Sequence, residues 1–161
     1  MNESAYGSAV FDHSAESVWA EIRDFNSYPV YINGVTESLL EDDKRGDEVG
    51  CVRRFVYNGK SIRQTLTGHC DEERWFTHAG CGPLEWPFDG EDVLAVEYTN
   101  RVKIRPVTDT NQAFVEWSLT FTSADQNSLA QWKRYFLTSI PVWLSSLREY
   151  LARRYAVPPV A

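Results

Sequence analysis

The side chains that most often carry catalysis or bind metals are few and scattered in this sequence. His69, Cys70 and His78 do not have the spacing of a zinc site, so we expect no metal. The chain contains no nucleophile elbow of the Gly-x-Ser-x-Gly type, no P-loop and no dinucleotide fingerprint. Nucleophilic hydrolysis, phosphoryl transfer and cofactor-dependent redox chemistry are therefore disfavoured, and we expect no cofactor.

The three cysteines, Cys51, Cys70 and Cys81, form neither an even set nor a Cys-x-x-Cys pair. This pattern is typical of reduced thiols in a reducing compartment. Residues 1–8 lack the basic start and apolar run of a signal peptide, and no stretch reaches the 18 apolar residues of a membrane span. We expect a cytoplasmic protein with no membrane span.

The formal net charge of −7 and the pI near 5.0 oppose nucleic-acid binding, which relies on a basic face. Arg101, Lys103 and Arg105 alternate along one predicted strand and are interpreted as its solvated face. The unusual feature is an aromatic content of 14% with six Trp. Such side chains fit a core and the wall of a cavity equally well.

The N-terminal third predicts one strand followed by two short helices. Residues 6–11 have strand composition, and Ser14 stands where a helix N-cap belongs, ahead of apolar Val18 and Ile22 at helical spacing. Pro29 and Gly34 bracket a second helix of one or two turns.

The centre of the chain predicts short strands separated by turns. Asn58-Gly59 is the clearest signal, because a two-residue hairpin turn with positive φ at both positions favours this pair. Short connections predict antiparallel neighbours. The predicted strands are residues 35–41, 50–57, 60–69, 74–81, 93–106 and 113–122.

The C-terminal part predicts a long helix over residues 128–155. Its apolar residues recur every three or four positions in one stripe that only the sheet is large enough to cover. Pro141 should kink this helix, and Pro158-Pro159 should stop its continuation. The stripe is formed by Leu129, Trp132, Phe136, Ile140, Trp143, Leu147 and Leu151. At 161 residues we expect one domain over residues 1–161.

This order of elements resembles the helix-grip fold of the START/Bet v 1-like (SRPBCC) superfamily over nearly the whole chain. Ala15-Glu-Ser-Val-Trp19 with Phe25-x-x-Tyr-Pro29 is similar to its opening helix pair, Gly50-Cys-Val-Arg53 to the start of its third strand, and the segment from Val115 to Phe121 to its last strand. Within the superfamily the chain resembles the polyketide cyclase/dehydrase-like proteins, and it shares strand patterns with plant lachrymatory-factor synthase and the abscisic-acid receptors. The resemblance implies an α+β fold, with a curved antiparallel sheet of about seven strands around the long helix.

The resemblance also implies a set of polar residues in the cavity. Arg53 matches an arginine that faces the cavity in the synthase and receptor relatives, and Tyr98 matches a tyrosine there. Their acid position falls on Gln64, which can hydrogen-bond a carbonyl but cannot exchange a proton near neutral pH. Arg53 and Tyr98 are therefore the candidate catalytic residues, and a mechanism that needs the acid is in doubt.

Strand alternation also predicts that Arg53, Gln64 and Tyr98 point into the cavity. The register that places Arg53, Gln64 and Tyr98 inside also places most apolar residues of their strands inside. It turns Glu116 outward, although a bulge would reverse that, so Glu116 is a reserve candidate. The expected ligand-binding residues are Arg53, Phe55, Gln64, Tyr98, Trp117, Phe136, Ile140 and Trp143.

Each of these residues also has a purely structural interpretation. Arg53 could be an internal ion-pair partner, Tyr98 a packed side chain with a satisfied hydroxyl, and Trp117 and Trp143 core residues. A guanidinium in an apolar cavity needs an anionic or carbonyl partner, which a ligand could supply.

Three functions remain open at this stage. The first is binding of a small, largely apolar organic ligand of polyketide-, lipid- or hormone-like type. The second is a cyclase or dehydratase acting on a polyketide-like carbonyl substrate. The third is a ligand-gated interaction module, in which the loop at residues 82–87 closes over the ligand. We expect a monomer or a homodimer whose partner is a small hydrophobic ligand rather than nucleic acid.

Overall fold

The computed structural model describes residues 1–156. Within them the chain forms seven strands and three helices in the expected order. The strands are β1 (Asn2–Phe11), β2 (Val35–Leu40), β3 (Val52–Tyr57), β4 (Lys60–Cys70), β5 (Trp75–Gly80), β6 (Glu97–Val107) and β7 (Gln112–Thr122). The helices are α1 (Ala15–Ile22), α2 (Tyr28–Tyr31) and α3 (Gln126–Arg154).

The strands form one curved antiparallel sheet in the order β1-β7-β6-β5-β4-β3-β2. Consecutive strands from β2 to β7 are neighbours, and β1 closes the far side by pairing with β7 along its whole length. The sheet wraps around α3, and α1 and α2 follow β1 in the chain. The predicted helix-grip fold is confirmed.

Two local signals identified in the sequence form the expected structures. The Ser14 side chain caps α1 by accepting a hydrogen bond from the Ser17 amide. Asn58 and Gly59 have φ values of 48° and 82°, as a hairpin turn with two left-handed residues requires. This turn fixes the register of β3 against β4, so that Arg53 stands opposite Gln64.

Helix α3 lies in the concavity of the sheet. Asp125 caps its N-terminus by accepting a hydrogen bond from the Ser128 amide, and the helix begins at Gln126, two residues before the predicted start. The helix is continuous across Pro141. The predicted stop at Pro158-Pro159 lies outside the described residues.

Strand β6 begins at Glu97 rather than at the predicted residue 93. The preceding segment is bonded to α3 instead of β5, because the Leu94 amide donates to Ser128 Oγ and its carbonyl accepts from Trp132 Nε1. Only a single bridge, Leu84 to Val96, continues the sheet pattern there. The pairing of β5 with β6 is therefore limited to residues 75–79 and 99–103.

The two faces of the sheet divide as strand alternation predicts. Alternate residues of β7 from Ala113 to Phe121 are buried, and Glu116 points outward, where it accepts hydrogen bonds from Arg105 and Tyr6. The expectation that Glu116 lies outside the cavity is therefore confirmed. Among residues 1–156, no helix has the length and apolar character needed to cross a membrane.

Candidate functional site

A cavity of about 860 Å³ lies between α3 and the concave face of the sheet. Its walls come from β3, β4, β6 and β7, from one face of α3 and from residues 81–88 of the loop after β5. Most of the lining is aromatic or aliphatic, and wide aromatic side chains hold the helix and sheet apart. The predicted continuous cavity is therefore present.

Six of the eight expected ligand-binding residues line this cavity, and two do not. The six share an inward position on the sheet or on α3. They are Phe55, Gln64, Tyr98, Trp117, Phe136 and Trp143. Arg53 and Ile140 are fully buried and lie outside the lining.

Ile140 is absent from the lining because it packs in the opposite direction, against β1. A Cβ added at Gly7 would stand 2.5 Å from Ile140 Cγ2, so the glycine provides the space that this side chain fills. The cavity face of α3 is instead formed by residues on either side of it, including Tyr135, Ser139 and Trp143. Some residues of the apolar stripe on α3 therefore pack against the sheet, and others line the cavity. Helical spacing alone does not distinguish the two groups.

Arg53 is held entirely by the protein and has no exposed surface. Its Nε and Nη2 both donate to Gln64 Oε1, at 3.0 and 2.5 Å, and its Nη1 donates to the Phe25 carbonyl at 2.6 Å. The guanidinium is stacked between the rings of Phe25 and Tyr28, 3.7 and 3.5 Å from their centroids. No carboxylate among residues 1–156 pairs with it, so its charge is balanced by neutral acceptors and ring faces alone.

The expectation that Arg53 contacts the ligand directly is not met in this geometry. The reason is tertiary: Phe25, in the segment after α1, and Tyr28, at the start of α2, cover the guanidinium. Arg53 touches the cavity lining through Gln64, by hydrogen bonds, and through Tyr28, by ring stacking.

Gln64 connects Arg53 to Tyr98. Its Oε1 accepts from Arg53, and its Nε2 donates to Tyr98 Oη at 2.6 Å. Gln64 stands opposite Gly80 on β5, and a Cβ at Gly80 would be 2.6 Å from Tyr98 Cε1. The missing side chain at Gly80 therefore lets the Tyr98 ring reach across β5 to Gln64.

The Tyr98 hydroxyl is the last group of this series of hydrogen bonds, and Tyr98 lines the cavity. Burial raises the pKa of Tyr98 to about 12, although the Gln64 hydrogen bond and the Arg53 charge act in the opposite direction. The hydroxyl is therefore protonated near neutral pH. Because its oxygen already accepts from Gln64, its own proton is available to a ligand oxygen.

Several cavity residues were not predicted from the sequence. Asn100 lines the cavity two residues after Tyr98 on the same face of β6, and strand alternation was the signal that identified this face. Tyr28, Trp132 and Trp86 also line it. Trp86 belongs to the 82–87 loop and packs edge-on against Trp132 with centroids 4.9 Å apart, so this loop forms part of the cavity wall.

The remaining reactive side chains lie elsewhere. His78 is fully buried, and desolvation lowers its pKa well below the ordinary value, with the Arg53 charge acting in the same direction. His69 bonds Asp71 at the end of β4. Cys51, Cys70 and Cys81 are free thiols, and only Cys81 lines the cavity.

Comparison with known families agrees with this architecture. The sequence model of the family described as "Polyketide cyclase / dehydrase and lipid transport" matches residues 3–151. The chain belongs to this family. No curated protein matches the sequence.

Solved structures give the same fold. A protein from Nitrosospira multiformis is 25% identical, with a TM-score of 0.73 over 91% of this chain and 94% of that one. The di-domain ARO/CYC BexL from the BE-7585A biosynthetic pathway is 14% identical, with a TM-score of 0.72 over 92% of this chain and 46% of its own. Ara h 8.0201 is 9% identical, with a TM-score of 0.67 over 94% and 99%. The last two likenesses concern the fold alone.

Proposed function

We propose that this protein binds a small, largely apolar organic ligand of polyketide-, lipid- or hormone-like type in the cavity between α3 and the sheet. The observation that carries the proposal is a space of about 860 Å³ whose lining is mainly aromatic and aliphatic. That volume falls in the range of sites that hold drug-sized molecules, roughly 300–1,000 Å³. Packed protein interiors rarely contain voids larger than a water molecule, so a space of this size is not a packing imperfection.

The polar groups support the same function. The Tyr98 hydroxyl offers one hydrogen bond to a ligand oxygen and is oriented by Gln64. A few such groups in an apolar lining orient a ligand, while the buried apolar area supplies most of the affinity. The family description, which joins cyclase and lipid-transport members, agrees with an apolar ligand.

Filling the cavity tests the proposal. Ser139 lines the cavity from α3, whereas Ser145 lies on the exposed face of the same helix. Ser139→Trp should abolish binding of 2-acetylnaphthalene, a small apolar ketone, while Ser145→Trp should bind it like the parent. Calorimetric titration of the three proteins measures this. Equal binding by all three proteins would place the ligand outside the cavity.

A second candidate function is cyclisation of a polyketide-like carbonyl substrate. The specific observation is the ordered hydrogen-bond chain from Arg53 through Gln64 to Tyr98, whose hydroxyl can donate its own proton to a substrate oxygen. In an intramolecular aldol cyclisation an enol carbon attacks a ketone carbon and the π bond of that ketone breaks as the new C–C bond forms. The ketone oxygen gains negative charge that such a donor stabilises, and it finally takes up the proton that the enol oxygen releases. The raised pKa of Tyr98 keeps its hydroxyl protonated near neutral pH, so the hydroxyl can act as this donor.

The enzyme and binding functions separate at Tyr98. In a catalyst, Tyr98→Phe should slow the cyclisation of a linear β-triketone about 100-fold or more, with a far smaller change in KM. If the protein only binds its ligand, the parent protein produces no cyclised product. Chromatographic detection of the product distinguishes the two functions.

A further inference from the structure

Four aromatic side chains that line the cavity form a group beside the loop after β5. Two belong to the loop and two to α3, and we call them the loop group: Trp86, Phe88, Trp132 and Tyr135. Wherever two of these rings are in contact they stand edge to face, with centroids 4.9 to 6.1 Å apart. Several aromatic rings around one space are the arrangement by which proteins hold alkylated ammonium groups, through cation–π attraction.

A second group of cavity rings lies around Tyr28 of α2 and is separate from the first. We call it the α2 group, and its members are Tyr28, Phe55, Tyr57, Trp117 and Trp143. Within residues 1–156 no ring of the α2 group contacts a ring of the loop group. The cavity therefore has two aromatic regions.

Positive charge lies beside the α2 group. The Arg53 guanidinium is 3.5 Å from the Tyr28 ring centroid, and no carboxylate in the described part of the chain pairs with it. Lys60, which also lines the cavity, stands opposite Tyr57 in the hairpin of β3 and β4. A ligand cation on this side would be repelled.

Negative charge lies beside the loop group. Residues 81–96, between β5 and β6, include four acidic residues and no Lys, Arg or His. Glu85 lines the cavity, and Glu91 accepts a hydrogen bond from Trp86 Nε1 at 2.5 Å. A carboxylate at the edge of an indole ring adds to the negative potential on the ring faces, which strengthens their attraction for a cation.

The remaining basic residue of the lining does not cancel this difference. Arg63 donates two hydrogen bonds to the Glu41 carboxylate, at 2.9 and 2.6 Å, so its charge is paired. The net charge of −7 acts in the same direction as the loop, because it favours a cationic ligand over an anionic one.

We propose that the ligand carries a cationic nitrogen, as a quaternary ammonium or a protonated tertiary amine, which lies among the rings of the loop group. Its apolar body extends toward the α2 group. The rings replace part of the water that the cation loses on entry, and Glu85 and Glu91 supply the opposite charge. This inference rests on the proposed binding function and narrows the ligand to an organic cation.

Three probes that share a naphthylmethyl body test the inference. They are (2-naphthylmethyl)trimethylammonium, its neutral carbon isostere 2-neopentylnaphthalene, and 2-naphthylmethanesulfonate, and equilibrium dialysis measures their binding to the parent protein. The cation should bind about tenfold more tightly than the neutral isostere, and the sulfonate most weakly. An apolar cavity without a cation site would favour the isostere over the cation, because only the cation must lose strongly bound water.

A ring variant places the cation. Trp86→Leu removes a ring of the loop group and keeps an apolar side chain, so it should weaken the cation about tenfold and the isostere less than about threefold. Trp143→Leu removes a ring of the α2 group and is the matched control. It should change the binding of both probes by the same factor.

A charge variant tests the acidic loop. The double variant Glu85→Gln, Glu91→Gln should weaken the cation about fivefold at low salt and leave the isostere unchanged. The control Asp109→Asn, Glu149→Gln removes the same charge from two exposed positions, in the turn after β6 and near the end of α3. An equal loss of cation binding in both double variants would assign the effect to the net charge and overturn the role of the loop.

Two failures are distinguishable on the parent protein alone, so misfolding of a variant leaves the test intact. If none of the three probes binds, the proposed binding function itself fails. If the isostere binds and the cation binds equally or more weakly, the binding function stands and the inference of a cationic ligand is wrong. A preference for the cation that persists in Trp86→Leu would overturn its placement among the rings of the loop group.

Discussion

The guanidinium of Arg53 shows how one buried charge can organise a site that it does not enter. It has lost its water, and it gains three hydrogen bonds to neutral oxygens and two ring faces in return. Burial of a charge is tolerated only when its donors are satisfied in this way. Arg53 in turn holds Gln64 through its Oε1, and Gln64 donates to the Tyr98 hydroxyl.

This dependence predicts a strong effect of Gln64 on stability. Gln64→Leu removes the acceptor of two Arg53 hydrogen bonds and leaves a charge under-bonded in the core. We expect the free energy of unfolding to fall by about 2–4 kcal/mol, measured by urea denaturation.

The double variant Arg53→Met, Gln64→Leu is the matched control. It replaces both polar groups with apolar ones of similar length, so it should recover much of the loss. A double variant as unstable as the sum of both single variants would show that Gln64 does not serve Arg53.

At the scale of elements, the contact between β1 and α3 depends on a missing side chain. A Cβ at Gly7 would approach Ile140 Cγ2 to 2.5 Å, whereas one at Gly82 meets nothing within 4 Å. Gly7→Ala should therefore lower the free energy of unfolding by about 1–3 kcal/mol, the range for overpacking, and Gly82→Ala should change it little.

Ile140→Leu offers a rescue, because leucine has no methyl branch at Cβ. In the Gly7→Ala background this substitution should restore part of the stability in the same urea measurement. If Gly7→Ala proves neutral, the helix does not rest on β1 as closely as described.

The connection between α1 and the end of β4 depends on ionised Asp71. Arg23 donates to both of its carboxylate oxygens, and Trp19 Nε1 donates at 2.8 Å. The Arg23 hydrogen bond is the main reason that the pKa of Asp71 lies well below its ordinary value. A carboxyl with a lowered native pKa stabilises the fold above its unfolded pKa, and this stabilisation is lost as pH falls through the native value.

Asp71→Asn should therefore cost stability at pH 7 but not in strong acid. Since Asp71 and Arg23 are partly exposed, solvent screening limits the loss to about 1 kcal/mol at pH 7. The difference from the parent should shrink below about pH 4, where the unfolded aspartate begins to protonate. Urea titrations across this range measure it, with exposed Asp43→Asn as the control, and a difference independent of pH would exclude the ion pair as its cause.

At the scale of the whole molecule, the sequence predicts the architecture well because local rules govern it. The Ser14 cap, the Asn58-Gly59 turn and the alternation of β7 each depend on a few neighbouring residues. Their order along the chain leaves few ways to cover the apolar stripe of α3. The element order and sheet faces follow from these features.

The site was less predictable because its geometry is tertiary. Arg53 is closed off from the cavity, and Phe25, a residue distant in sequence, supplies it with a carbonyl and a ring face. Ile140 packs on Gly7, although it belongs to the same apolar stripe of α3 as residues that line the cavity. Asn100 was not predicted, because strand alternation shows only which face of the sheet a lone polar residue occupies and not whether it lines a cavity.

The most direct measurement of the central claim uses the six tryptophans as internal reporters. Trp86, Trp117, Trp132 and Trp143 line the cavity, whereas Trp19 and Trp75 do not. Titration of 2-acetylnaphthalene into ¹⁵N-labelled protein should shift the indole N–H resonances of the four lining residues in a saturable way, Trp117 among them. The resonances of Trp19 and Trp75 should stay in place. Saturable shifts confined to Trp19 and Trp75, or no shift at any indole, would contradict the account of this cavity as the ligand site.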